Sequence, residues 1–293
     1  MQTLNASGEN AEQIKFWNGE AGTHWADRNH EMDAMLAPLG AAAIERASPV
    51  VGEQVLDIGC GCGGTTLEMT NLLGESGHIL GVDISQPMLD LANSKICSIP
   101  EELQSVPSFQ LADASTFGFP AGAYDLLFSR FGVMFFANPP AAFANMREAL
   151  KPGGRLTFLC WAPAEQNDWI MTPFMAAREH LPPTDKPDPA APGPFAFADK
   201  DYVQTILETA GFIDIGFESI SPLMKIVRGQ SLEEAAEFFM EMGPISRALV
   251  SQPDSVLATV KSAIAEAIQG HYKKGVVEIG AKCWVVSAIN PQA

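Results

Sequence analysis

The sequence predicts one doubly wound α/β domain, built on a mostly parallel, seven-stranded sheet with helical caps. Three observations carry that prediction. From Val51 onward, short apolar runs alternate with helix-like segments, the order that covers a parallel sheet with helices on both faces. The first run ends in a glycine-rich turn, Gly59-Cys60-Gly61-Cys62-Gly63-Gly64. The chain has 293 residues, 47% of them hydrophobic and 18% charged, which suits one large core and excludes disordered and collagen-like classes.

The seven strands are read at residues 54–58, 78–82, 109–112, 124–128, 155–161, 213–220 and 283–289. Helices are read at 65–73, 86–94 and 138–150, the last with Asn138 as N-cap and prolines in its first turn. Lys151-Pro152-Gly153-Gly154 is a turn that forbids the helix to continue. Residues 182–197 hold six prolines and read as a loop. A further helix starts at Asp199 and ends with Gly211 as a left-handed cap. Ser231-Leu232-Glu233-Glu234 is a capping box, so a helix runs from there to about Met242. Another amphipathic helix covers 254–268. The whole, 1–293, is expected to be a single domain: an N-terminal cap over 1–48, a sheet core over 51–220 and 282–290, and a helical insertion over 231–270.

Charge and composition narrow the partners. There are 35 acidic and 18 basic side chains, a formal charge of −17, and a phosphate backbone would be repelled, so nucleic acid is excluded. The longest apolar stretches, such as 156–160, fall far short of the ~20 residues that span a bilayer, so no membrane insertion is expected. Residues 1–10 are polar and do not resemble a secretory leader. The five cysteines are an odd number without disulfide-like spacing, which fits free thiols in a cytoplasmic protein. A homodimer stays open.

Glycines at a strand-to-helix turn allow close approach to the backbone, and the following helix presents free N–H groups. Gly59, Gly61 and Gly64 also satisfy G-x-G-x-x-G, so an NAD-dependent oxidoreductase is one reading. Three carboxylates argue for another. Asp57 lies at the tip of the first strand, Asp83 ends the second and Asp113 follows the third. In a doubly wound sheet these tips share one edge. Each could simply cap the helix after it. A dinucleotide pyrophosphate would be repelled by Asp57, whereas a ligand with an ammonium, ribose hydroxyls and an adenine amine would be matched acid by acid.

The motifs Asp57–Gly63, Gly81-Val82-Asp83-Ile84-Ser85, Leu111-Ala112-Asp113-Ala114, Tyr124-Asp125-Leu126-Leu127 and Leu150-Lys151-Pro152-Gly153-Gly154 occur in that order. With them the sequence resembles the class I S-adenosylmethionine-dependent methyltransferases. Among these it is most similar to small-molecule enzymes related to the ubiquinone/menaquinone C-methyltransferases. The resemblance covers residues 17–161 in detail and implies a Rossmann-like methyltransferase fold with S-adenosyl-L-methionine as cofactor. It implies that Gly59, Cys60, Gly61 and Gly63 cradle the methionine part beside Asp57, that Asp83 grips the ribose, that Ile84 and Met88 flank the adenine, and that Asp113 with the backbone of Ala114 reads its edge. Phe16, Trp17 and Trp25 match an aromatic segment that folds over the cofactor. A non-methylating protein that keeps the cofactor is a further alternative.

The reaction so implied is displacement of a methyl from sulfonium by an O, N or C atom of a small, partly apolar molecule. Holding the partners in line is worth about 7–11 kcal/mol, so a general base is optional. His24 and His30 are the candidates for one. Ser129 and Phe131, at the tip of the fourth strand, would face the reacting methyl. Phe197, Phe238, Phe239 and Met242 are candidates for the acceptor side, as packing residues or as an apolar box. Cys60-x-Cys62 has no second pair and no histidine beside it, so no metal is expected.

Overall fold

The computed structural model describes residues 4–104, 106–182, 188–189, 191–226 and 231–292. Three helices form the N-terminal cap: α1 (Ala11–Asn18), α2 (Glu20–Asp27) and α3 (Asn29–Ala47). The alternating core follows with β1 (Gln54–Ile58), α4 (Gly64–Leu73), β2 (His78–Asp83), α5 (Gln86–Ser94), β3 (Pro107–Leu111), β4 (Tyr124–Arg130), α6 (Pro139–Ala149) and β5 (Leu150–Trp161). Helices α7 (Asp168–Arg178) and α8 (Lys200–Thr209) precede β6 (Ile213–Ile220). A second cap contains β7 (Leu223–Ile226), α9 (Leu232–Met240), α10 (Gly243–Leu249), α11 (Asp254–Ile268), β8 (Tyr272–Lys273) and β9 (Val276–Gly280), and β10 (Cys283–Ile289) returns to the core.

The seven-stranded sheet has the order β3-β2-β1-β4-β5-β10-β6. Strands β1 to β5 pair parallel, and β10 runs antiparallel between β5 and β6. This is the predicted class, and the order reverses between β1 and β4, the switch point where such sheets bind ligands beyond their carboxyl ends. The central strands read as continuous apolar runs because both of their faces are covered: Leu56, Leu126, Leu127, Phe128, Leu156 and Phe158 are all fully buried.

Three expectations need correction. The predicted turn at 151–154 lies inside β5: Leu150 pairs with Tyr124 and Arg155 with Leu126, so the intervening residues bulge out, with Gly153 at φ +77°, while the strand continues. The helix from Ser231 stops at Met240 and a separate helix, α10, starts at Gly243. The insertion also includes a three-stranded sheet of order β7-β9-β8, for which no strands were anticipated. Residues 183–187 and 190 of the predicted proline-rich loop lie outside the described residues; 191–197 is irregular, as expected. Asn138 does cap α6, its side chain accepting from Ala141 N, and the capping box at Ser231 is complete.

Both caps belong to the carboxyl edge. Ile220, where the second cap leaves the sheet, and Trp161, the tip of β5, both pair with Cys283, where the chain re-enters. A bidentate ion pair between Arg28 and Glu241, with both contacts at 3.1 Å, ties the two caps together.

Candidate active site

The site is built where β1, β2 and β4 end. Gly59, Gly61 and Gly63 have φ of +65°, +55° and +77°, a region that side chains with a Cβ rarely adopt. At Gly59 the constraint is also steric, since a Cβ would meet Gly132 Cα at 2.5 Å. Ser129 sets that approach. Its buried hydroxyl donates to Ile58 O at 2.7 Å and accepts from Gly132 N at 3.2 Å, pinning the tip of β4 to the tip of β1. Its hydroxyl is engaged in this contact, and Phe131, two residues on, is partly buried against the core.

Asp57 is fully buried. Its Oδ2 accepts from Thr66 Oγ1 at 2.6 Å and Thr65 Oγ1 at 3.2 Å, both in the first turn of α4. Its Oδ1 has no hydrogen-bond partner among the described residues. Burial pushes its carboxyl up to about 6, against the pull of the Thr66 hydroxyl and of Arg130. A buried acceptor left without a donor costs about 1–3 kcal/mol, and a ligand cation at the glycine loop would satisfy it.

Asp83 clamps the loop: its Oδ2 accepts from Gly61 N and its Oδ1 from Ser85 N, each at 2.8 Å. Burial raises its carboxyl, opposed by those backbone N–H groups. Each oxygen retains a second lone pair for a hydroxyl. Met88, mostly buried in α5, stands against Gly61, its Sδ 3.5 Å from where a Cβ would be. Cys60 and Cys62 are buried, and burial pushes the Cys62 thiol up to about 12 and the Cys60 thiol well above its ordinary value. Neither is a thiolate, and among the described residues no cluster of metal-ligating groups occurs.

The N-terminal cap reaches further into this edge than the sequence indicated. Asn10, only 5% exposed, donates to both Asp113 oxygens at 3.0 and 3.2 Å, while its own Oδ1 accepts from Ala137 N at 2.8 Å. Ser115 fills Asp113 further through its N–H and hydroxyl, so this acid is engaged with protein groups in the structure. Trp17 O accepts from the Ser85 hydroxyl at 2.7 Å, and Asn18 bonds Ile84 O and Gln86 N. Trp17 meets Trp25 and Phe135 edge-on at 6.1 and 5.4 Å. The aromatic segment is thus at the predicted edge. Ala114 is buried and its carbonyl accepts from Asn145. A cavity of about 550 Å³ opens beside Asp113, between Leu111, Phe117 and Ile14.

Phe131 has φ +64°, a strained conformation for a bulky side chain. Its ring stacks on Trp161 at 4.3 Å and 12°, and Trp161 leans on Trp169 of α7 at 4.8 Å. An aromatic wall thus runs from the tip of β4 over the end of β5 to α7. Of the acceptor-side candidates, Phe197 is corrected to packing: it is fully buried against Phe143 of α6 and Phe158 of β5. Phe238 and Phe239 are buried inside the second cap, edge-on to each other, and Met242 is partly buried there. His24 and His30 are exposed on α2 and α3, and among the described residues no hydrogen bond orients either ring, so the geometry does not favour them as bases. The residues missed are Asn10, Asp33 and Lys95. Their only signal was a polar side chain set into a buried face, Asp33 between Met32 and Met35.

Comparison with known proteins agrees with this fold. Residues 55–154 match the family described as a methyltransferase domain. The chain is 34% identical over 121 residues to the aklanonic acid methyltransferase DauC of Streptomyces sp. (strain C5), a match covering 41% of this chain and 54% of that protein. It is 35% identical over 108 residues to a ubiquinone/menaquinone biosynthesis C-methyltransferase of Azotobacter vinelandii, covering 37% and 42%. The chain thus spans about half the length of these curated relatives. Among solved structures, phosphoethanolamine N-methyltransferase 2 of Haemonchus contortus in complex with S-adenosyl-L-methionine superposes with a TM-score of 0.57, at 16% identity, over 94% of this chain and 59% of that one. That likeness is one of fold. Residues 55–154 therefore match a methyltransferase domain, and the chain shares the fold of a structure solved with S-adenosyl-L-methionine bound.

Proposed function

We propose that the protein transfers a methyl group from S-adenosylmethionine to an O, N or C atom of a small, partly apolar molecule. The observation that carries this reading is Asp57, a buried carboxylate with one oxygen unpartnered beside a glycine loop. Such a group complements the ammonium of an amino-acid end and would repel a pyrophosphate, which speaks against a dinucleotide. When bound, the cofactor supplies a methyl on sulfonium, already electrophilic. The chain's own residues then have to bind and orient. Asp83 offers its remaining lone pairs to the ribose hydroxyls while holding the loop in shape. Met88 and Ile84 supply the apolar side of the adenine position. Phe131 and Trp161 provide a flat apolar wall that aligns an acceptor and excludes water, and alignment alone supplies about 7–11 kcal/mol. No base is assigned.

The second cap, with Phe238, Phe239 and Met242, forms the roof on the acceptor side in this reading. The expected partners are the acceptor and at most a second copy of the chain. Buried free thiols at Cys60, Cys62, Cys160 and Cys283 support a reducing compartment, which we take to be the cytoplasm. Among the described residues no helix is long and apolar enough to cross a membrane. The test is a panel of phenolic, amine and activated-carbon acceptors, scored by release of S-adenosylhomocysteine. Turnover on an apolar acceptor that is lost in Asp83→Ala supports the reading. Binding of S-adenosylmethionine without turnover on any class contradicts it.

A further inference from the structure

The N-terminal cap places a carboxylate of its own at the glycine loop. Asp33 of α3 accepts from Arg130 Nη2 at 3.0 Å, and its other oxygen lies 3.5 Å from Lys95 Nζ. Lys95 in turn donates to Cys62 O, inside the loop, at 2.9 Å. The Asp33 carboxylate rests against Gly64, the first residue of α4, where a Cβ would stand 3.0 Å from its Oδ1. A carboxylate between two cations thus sits at the start of a ten-residue helix, the end that favours anions. In the first turn of the same helix, Thr65 and Thr66 hold Asp57, whose Oδ1 is fully buried and has no partner among the described residues. One helix end therefore offers cations for an anion and, beside them, an acceptor that lacks its donor.

That pairing is the complement of an α-amino-acid end, which carries a carboxylate and an ammonium on one carbon. We infer that Arg130 and Lys95 form the pair that binds the cofactor's carboxylate, and that Asp33 is the internal carboxylate that holds this place until the cofactor's own carboxylate takes it. The inference rests on the methyltransferase reading and adds the groups that grip the amino-acid end. Arg130 suits the task because its planar fork donates to a carboxylate at two points. The exchange has a consequence for the cap. Asp33 ties α3 to the tip of β4 and to the residue after α5, so giving up Arg130 loosens α3 as the cofactor settles. Asp33 and the cofactor compete for one pair of cations, and removing the competitor must strengthen binding.

The experiment compares S-adenosylhomocysteine with 5′-methylthioadenosine, which keeps adenine, ribose and sulfur but lacks the amino-acid end. Both are titrated calorimetrically into wild type, Asp33→Asn, Arg130→Gln and Lys95→Met, each shown to be folded by its circular dichroism and melting. Asp33→Asn should bind S-adenosylhomocysteine about fivefold more tightly, with its affinity for 5′-methylthioadenosine unchanged. Arg130→Gln should weaken S-adenosylhomocysteine about tenfold and leave 5′-methylthioadenosine alone. Lys95→Met should act in the same direction, so the pair remains testable if Arg130→Gln does not fold. Asp33→Asn binding S-adenosylhomocysteine no more tightly than wild type overturns the inference, as does an equal loss for both ligands in the cation variants. Wild type that binds neither ligand overturns the methyltransferase reading beneath it.

Discussion

Asp57→Asn tests the electrostatics of the site without any ligand. The unfolded chain ionises Asp57 near its ordinary value of 3.8, the folded chain only near 6. Between those values the folded state holds the extra proton, so stability falls as pH rises. The contribution is fully present below 3.8, is lost as pH passes about 6, and is constant above that. Moving one carboxyl from 3.8 to about 6 is worth roughly 3 kcal/mol, since each tenfold costs about 1.4 kcal/mol. About half of that, roughly 1.4 kcal/mol, falls between pH 5 and pH 8, a window above the pI of about 4.6. Asparagine keeps the carbonyl that Thr65 and Thr66 need and cannot ionise. Urea unfolding followed by tryptophan fluorescence, at both pH values, gives the two stabilities. The mutant should gain on wild type by about 1.4 kcal/mol as pH goes from 5 to 8. A difference between the two proteins that does not change with pH, or that changes the other way, refutes the reasoning.

Three further outcomes follow from the same geometry. Asp83→Ala leaves the N–H groups of Gly61 and Ser85 without acceptors, at about 1–3 kcal/mol each; its melting temperature should drop and its affinity for S-adenosylhomocysteine should fall at least about tenfold. Asn10→Ala removes a buried donor to a carboxylate, so it should cost about 1.5–3 kcal/mol in urea unfolding and speed proteolysis within α1. Phe131→Ala breaks the stack on Trp161; the rate on an apolar acceptor should fall while S-adenosylhomocysteine binds as before, a split read by kinetics and calorimetry together.

Much of the core was legible because its cues are local. Strands β1, β6 and β10 and helices α5 and α11 run over the anticipated residues, since apolar runs, caps and glycines bound them directly. The small sheet was not legible. Its strands are short, and β7 alternates exposed and buried residues over only four positions, too few for a period to declare itself. Helices α3 and α7 carry Pro38 and Pro173 inside, which argues locally against helix and is overridden by packing. The site divides in the same way. Asp57 and Asp83 were readable from their offsets to the glycines, because strand tips in such a sheet share an edge. Asn10 and Asp33 were not, because their partners lie 103 and 97 residues away and only the folded cap brings them together. The acceptor candidate Phe197 failed for a related reason: an aromatic at the end of a proline-rich loop carries no mark that it will pack into the core against Phe143 and Phe158.

In the proposed function the glycine loop with Asp57 and Asp83 binds the S-adenosyl cofactor. Isothermal titration of the folded wild-type protein with S-adenosylhomocysteine, with NADH as the parallel ligand, tests it most directly. Saturable binding of S-adenosylhomocysteine at one site per chain and none of NADH is expected, with a melting shift of the size that about 2.7 kcal/mol gives at a hundredfold excess over Kd. Binding of NADH, or a folded protein that takes up no S-adenosylhomocysteine, would contradict it.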